Sequence, residues 1–357
     1  MRPELLLHGI DTLQCSYFLR PHGHSGIDFA GLTVEREKLR QSKERESKLI
    51  NLGGVDFLLS PHGSPLGFPL VLNNQDFRIE MGEYNNPPFF VTFRSQALWR
   101  DGAPALHQKF LEWAARLVFR PYKPESLTRV DFAFDYLLDN IDFDEDFFVS
   151  YSNKDSQHRE NGKIQTFTFG RSDIVLRVYD KVAEIKQESD KVWFYDLWER
   201  EDNVWRIEWQ VRKQPLKRFG IATLNDLEGQ PGDLLRYLAE QHDTLRVPSG
   251  DGNRSRWPLH PLWQDLHERI RELKSLGVYR VVDEAPVLSA RKMRIGIAMY
   301  GYLKQLAAIR CIQQGKELIS IDDAQETLKY TVNKLHDPLS WRIDVQKRIK
   351  SFHLGQW

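Results

Sequence analysis

The chain reads as an α+β protein: a large, mostly antiparallel sheet with helices on one face, then a helical C-terminal region. Three observations carry that reading. Short segments alternating apolar and polar residues recur from position 13 to position 212, the period of strands with one greasy and one wet face. Helical spacing interrupts them at 35–49 and 105–119. Beyond Gly220 the alternation stops and helical periodicity takes over.

In chain order, 13–19 is the first expected strand and 35–49 a charged helix. Strands at 55–59, 69–72 and 77–81 follow, punctuated by Gly53-Gly54, Gly63, Gly67 and Asn73-Asn74. After a strand at 89–93, the helix at 105–119 places Leu106, Phe110, Trp113 and Leu117 on one buried stripe. Strands return at 128–136, 165–169, 174–179 and 204–212. Two rounds of strands, each followed by a helix, hint at an internal duplication. Helices are expected at 234–241, 261–276, 289–314 and 321–335, interrupted by a Pro/Gly/Ser stretch at 247–261. The expected division is therefore a catalytic domain over 1–220 and a helical region over 221–357 that binds DNA or a partner.

Bulk properties narrow the function classes. With 357 residues, 41% hydrophobic and 28% charged, the chain is globular rather than disordered. No apolar run approaches the roughly 20 residues that span a bilayer, and the first residues lack a signal-peptide pattern. Cys15 and Cys311 lie far apart in the sequence. The expected compartment is the cytoplasm, with both thiols reduced and no membrane partner. Formal net charge is zero, which argues against a general nucleic-acid coat. Charge is instead local: residues 286–357 carry 12 Lys/Arg against 6 Asp/Glu, as suits binding at a defined site.

Four segments repeat one pattern, an arginine, an apolar residue and a chemically useful side chain: Arg78-Ile79-Glu80, Arg129-Val130-Asp131, Arg177-Val178-Tyr179 and Arg206-Ile207-Glu208. In the second, Val130, Phe132 and Phe134 oppose Arg129, Asp131 and Asp135. In the last, Trp205, Ile207, Trp209 and Val211 oppose Arg206, Glu208, Gln210 and Arg212. A lone strand carboxylate is most simply a salt-bridge partner, and a lone strand tyrosine a structural hydrogen bonder. Together they say more. Gathering Glu80, Asp131 and Glu208 on one surface without a cation costs several kcal/mol or forces a proton onto one of them. A hard divalent ion relieves that cost, and oxygen-only ligands point to Mg²⁺ or Mn²⁺. Tyr179 shares its face with Arg177 and Lys181, which are expected to ease loss of its proton and make it a nucleophile towards phosphate. Trp193, Phe194, Tyr195 and Trp198 are candidate base-stacking platforms. His22-Gly23-His24 lies in a loop without the strand context of a two-histidine metal motif, and no Walker-type or dinucleotide fingerprint is present.

The segments 128–135, 177–181 and 205–208 resemble, in order and spacing, the Rep_trans family of rolling-circle replication initiators of plasmids and filamentous phages, with related relaxases in integrative conjugative elements. The resemblance covers roughly residues 5–215. It implies that Tyr179 is the nucleophile, with Arg177 and Lys181 beside it, leaving a 5′-phosphotyrosine and a free 3′-OH. It also implies that Asp131 and Glu208, with Glu80 a less distinctive match, hold the metal. Arg129, Arg206, Arg78 and Arg212 would ground phosphates or order the acids. Implied partners are single-stranded or hairpin origin DNA, a host helicase and a replicative polymerase, and a homodimer is compatible with the motifs. Two rivals stand beside this expectation: a metal-dependent hydrolytic endonuclease in which Tyr179 is structural, and a non-catalytic origin-binding or regulatory protein.

Overall fold

The computed structural model describes residues 3–152, 155–160, 163–189, 191–275 and 285–353. Its architecture is α+β, built on one eleven-stranded sheet in which every adjacent pair is antiparallel. We number its strands β1 (Glu4–Tyr17), β2 (Lys48–Leu52), β3 (Val55–Leu59), β4 (Leu70–Asn73), β5 (Phe77–Met81), β6 (Phe89–Phe93), β7 (Ser126–Leu137), β8 (Asp155–Glu160), β9 (Lys163–Phe169), β10 (Ile174–Asp180) and β11 (Val204–Arg212). Across the sheet the order is β8-β9-β10-β11-β7-β1-β6-β5-β4-β3-β2.

That order contains a repeat. The two longest strands, β1 and β7, lie side by side at the centre. In each half the first strand is central, the last strand returns beside it, and those between step outwards in reverse. Backbone contacts match as well. The Arg94 N–H just after β6 donates to the Asp76 carbonyl at 2.9 Å, and the Arg212 N–H ending β11 donates to the Asp173 carbonyl at 2.8 Å. Strand order thus repeats between the halves where the short sequence repeat only hints at it.

Alternation divides the sheet into two faces. Val130, Phe132 and Phe134 of β7 and Trp205, Ile207, Trp209 and Val211 of β11 are buried in one core cluster. The helix Ala103–Arg116 buries Leu106, Phe110 and Trp113 against the first half. Leu234, Leu235, Leu238, Trp263 and Leu266 do the same for the second half, with Trp263 5.6 Å from Trp209 between ring centroids. The chain divides into two compact units, Met1–Arg280 and Val281–Trp357. Helices beyond Gly220 therefore fall in both units, because residues 221–275 supply the cover that the second half-sheet needs.

Several boundaries differ from expectation. The charged helix spans Phe29–Gln41, and residues 48–52 are the edge strand β2. Strand β8 was not expected, and a helix at Pro338–His353 was missed. The second unit consists of the helices Ala285–Gln314, Ile321–Leu335 and Pro338–His353, with Ser320 capping the middle one by accepting from the Asp323 N–H. Among the described residues no helix is long and apolar enough to cross a membrane, and Cys15 and Cys311 are free thiols.

Candidate active site

On the polar face, hydrogen-bond register aligns side chains in rows across the strands. One row runs His158, Thr166, Tyr179, Arg206, Asp135 over β8, β9, β10, β11 and β7. Two residues along, about 6.7 Å of strand rise, the next runs Ser156, Thr168, Arg177, Glu208. A third carries Val175, Gln210, Asp131 and Thr12, and a fourth Arg212, Arg129, Gln14, Thr92 and Arg78. A cleft of about 520 Å³ opens over the first three rows and reaches Arg129 of the fourth, and Tyr179, Glu208, Asp131, Arg177 and Lys181 also line it.

The tyrosine is paired with a carboxylate. Its hydroxyl donates to Glu208 Oε2 at 2.9 Å, and Arg177 Nη1 donates to the other oxygen, Oε1, at 3.1 Å. Arg129 Nε donates to Asp131 Oδ1 at 2.8 Å along its own strand. Tyr179 is buried, 8% exposed. That burial, reinforced by Glu208, pushes its pKa well above the ordinary value despite the opposing charge of Arg206. The expectation that Arg177 and Lys181 ease its ionisation is therefore reversed. Lys181 is itself buried, its pKa lowered by burial and by Arg206 and Lys191, and it is ion-paired to Glu184.

Asp131 is perturbed the other way from a typical carboxylate. Burial, with the nearby charges of Glu208 and Asp11, raises its pKa to about 6, while Arg129 opposes the shift. Acid crowding on this face is thus real, but its third member is Asp11, not Glu80. Glu80 sits on β5, three strands from Asp131, roughly 14 Å across the sheet. It is ion-paired to Arg78 at 2.9 Å and its Oε2 is buried without a hydrogen-bond partner. Neither residue lines the cleft. The shared motif brought them to the same face but to the wrong half.

Asp11 was invisible to strand periodicity. Register shifts between Ile10 and Thr12 against β7, so Asp11 is the extra residue of a bulge, and consecutive residues Asp11 and Thr12 both line the cleft. Its carboxylate accepts from Ser95, Trp99, Arg206 and Lys191. Burial opposes its ionisation, yet Arg206, Lys191 and Lys181 outweigh that and hold its pKa far below normal. Trp99 reaches it by lying over Gly9, where any Cβ would approach the indole to 2.8 Å.

Arg206 is fully buried, which denies it the expected contact with phosphate. It orders the acids instead: Nε and Nη2 fork onto Asp135 at 2.6 and 2.8 Å, and Nη1 donates to Asp11 at 2.9 Å. Trp198 Nε1 donates to Asp135 at 2.9 Å, and Phe194 stacks 4.4 Å from the guanidinium. Both aromatics are buried in a small cluster over this network, so they roof it rather than offer faces to bases. Replacing Arg206 with Met would leave buried Asp135 without a cation and Asp11 with Lys191 alone. We expect a loss of about 3–5 kcal/mol in unfolding free energy, measured by denaturant titration.

Among the described residues no group of three or more His, Cys, Asp or Glu side chains forms a metal cage. The donor chemistry instead fits a hard ion that keeps most of its water and takes a phosphate oxygen, for which one or two carboxylates suffice. Asp131 and Glu208 are the cleft residues that could supply them.

No family model and no curated protein matches the chain. Among solved structures, a rolling circle replication initiator protein from Geobacillus stearothermophilus is similar at a TM-score of 0.44 and 16% sequence identity, over 75% of this chain and 99% of that one. At that level the likeness assigns no function.

Proposed function

We propose that the protein nicks and rejoins one strand of DNA by phosphoryl transfer to Tyr179, as a replication initiator of the rolling-circle kind. One observation carries the reading: a tyrosine hydroxyl 2.9 Å from a carboxylate, in a cleft whose walls also hold Arg129, Arg177 and Asp131. A phenol with a raised pKa needs a base in hydrogen-bond reach, and Glu208 is in reach.

In this mechanism Glu208 takes the phenolic proton as the Tyr179 oxygen attacks phosphorus. The bond from phosphorus to the 3′ oxygen breaks, giving a 5′-phosphotyrosine, and the departing 3′ oxygen takes a proton from solvent. Arg177 and Arg129 offset the charge of the phosphate. Asp131, sharing with Glu208, would hold Mg²⁺ or Mn²⁺, which supplies Lewis-acid stabilisation of the phosphate oxygens. Arg206, Asp135 and Asp11 fix the strands that carry these groups. Rejoining is the same step reversed by a free 3′-OH, and conserves the bond without ATP.

The test uses 3′-labelled hairpin oligonucleotides of randomised loop sequence with Mg²⁺ or Mn²⁺. We expect an adduct that survives denaturing electrophoresis and maps to the peptide containing Tyr179. Cleavage without an adduct would identify a hydrolase, and binding without cleavage a non-catalytic protein. Glu208→Gln should lower the adduct-forming rate by 10²–10⁴-fold, on the order of a lost general base, and EDTA should stop the reaction. A chelator-resistant adduct would remove the metal from the scheme.

A further inference from the structure

The catalytic cleft is poorly suited to attract DNA by itself. Six carboxylates and four Lys or Arg side chains line it, so its formal charge is negative, the wrong sign for phosphate. Its neighbour has the opposite sign. A groove over the N-terminal end of β10 and the C-terminal end of β11 is lined by Arg171, Arg177 and Arg212 against one carboxylate, Asp155. Thr168 and Arg177 line both spaces, so the two adjoin. Arg171 and Arg212 are exposed, and neither is ion-paired among the described residues.

The other half of the sheet, with its matching strand order, provides an internal comparison. Arg94 occupies the position of Arg212, but its Nη2 donates to Asn73 at 2.8 Å. The groove there is lined by Asp56 and Asp76 against Arg94 and Lys109, with apolar Leu49 and Leu58. Excess positive charge accompanies only the half that carries Tyr179.

We propose that this groove is the path of the unpaired strand leaving the cleft, with Arg171 and Arg212 binding successive backbone phosphates. The proposal rests on the nicking reading for its ligand, and extends it to a site beyond the reacting atoms. From Tyr179 in the cleft to Val175 in the groove the path follows about 13 Å of strand, with Arg177 lining both spaces. Because Tyr179 is buried where it lines the cleft, the strand that reaches it is one freed from its complement. Thr168 and Gln210 add hydrogen-bonding groups along the way, without the base-edge readout that sequence specificity requires.

The experiment is a fluorescence-anisotropy titration of the full chain with labelled oligothymidylate across a range of salt concentrations. The variant Arg171→Ala/Arg212→Ala should bind about 10-fold or more weakly, with the slope of log affinity against log salt reduced by about 1.4, as expected for two lost phosphate contacts on a single strand. Arg94→Gln, at the equivalent place in the other half, should leave affinity and slope unchanged. The proposal is overturned if the double variant binds like the native protein, if Arg94→Gln is equally impaired, if a duplex of the same length binds as tightly, or if the native protein does not bind oligothymidylate. Native binding that depends on Arg171 and Arg212 but yields no covalent adduct supports the groove and rejects nicking. An adduct formed equally well by the double variant does the reverse.

Discussion

Tyr179→Phe will abolish covalent attachment and strand cleavage together, by roughly 10⁴-fold or more, the scale of losing a nucleophile, while oligonucleotide binding stays within about twofold. The ring is part of the wall between β10 and the cleft, and phenylalanine keeps that packing. Only the oxygen is lost, and with it the donor to Glu208 Oε2. The measurement is a single-turnover assay with a 3′-labelled oligonucleotide, scored for both product and adduct. A variant that still cuts would make water the nucleophile and Tyr179 a structural hydrogen bonder. The raised Tyr179 pKa also gives this prediction a pH arm. Because the phenol stays protonated through the neutral range, the native rate should follow ionisation of Asp131 rather than of the tyrosine, and should show no rise confined to pH 9–10.

Asp131→Asn is expected to remove cleavage and yet raise stability. In the folded chain the Asp131 pKa is about 6, against an unfolded reference near 3.9. A carboxyl whose folded pKa is raised costs the fold stability once it ionises. That cost is absent below about pH 4, grows as pH climbs towards 6, and is fully present above it. Two pKa units correspond to about 3 kcal/mol, an upper bound here because asparagine also loses charge-assisted bonds to Arg129. The variant should therefore melt above the native protein at pH 8 without divalent ions, and the difference should vanish by about pH 4. Added Mg²⁺ or Mn²⁺ should stabilise the native chain and not the variant. Loss of stability at pH 8 would instead make the Arg129 pair a structural bridge, and the crowding of acids of no consequence.

Opposite consequences of Asp131 and Arg206 follow from where their charges are balanced. Arg206 is the cation on fully buried Asp135 and shares Asp11 with Lys191, so its removal leaves the Asp135 charge unpaired. Asp131 has one arginine and two like charges nearby, so its removal relieves repulsion. Storing that cost in a cleft open to solvent is characteristic of sites that bind cations or transform phosphate.

How much of this was legible in the chain depends on the range of the interactions. Alternation set the faces of β7, β10 and β11, because side-chain period is a local property. It therefore placed Tyr179, Glu208, Asp131 and Arg177 on one polar surface, and Val130, Phe132, Trp209 and Val211 in the core. Sequence also exposed the helical stripe of Leu106, Phe110 and Trp113. Which strands become neighbours is not local. The same three-residue pattern put Glu80 and Arg78 on the right face, but only strand order shows them three strands away. Asp11 escaped because a bulge, set by how β1 pairs with β7, breaks the alternation that sequence reading relies on. Charged side chains misled for a related reason. Arg206 and Lys181 look like free cations in the chain, and only packing against Asp135, Glu184 and the aromatic roof decides that they are sealed in. Local chemistry was written in the sequence; neighbours, burial and hence the sign of each pKa shift were fixed by the tertiary structure, because electrostatic energies depend on distance and solvent access rather than on position along the chain.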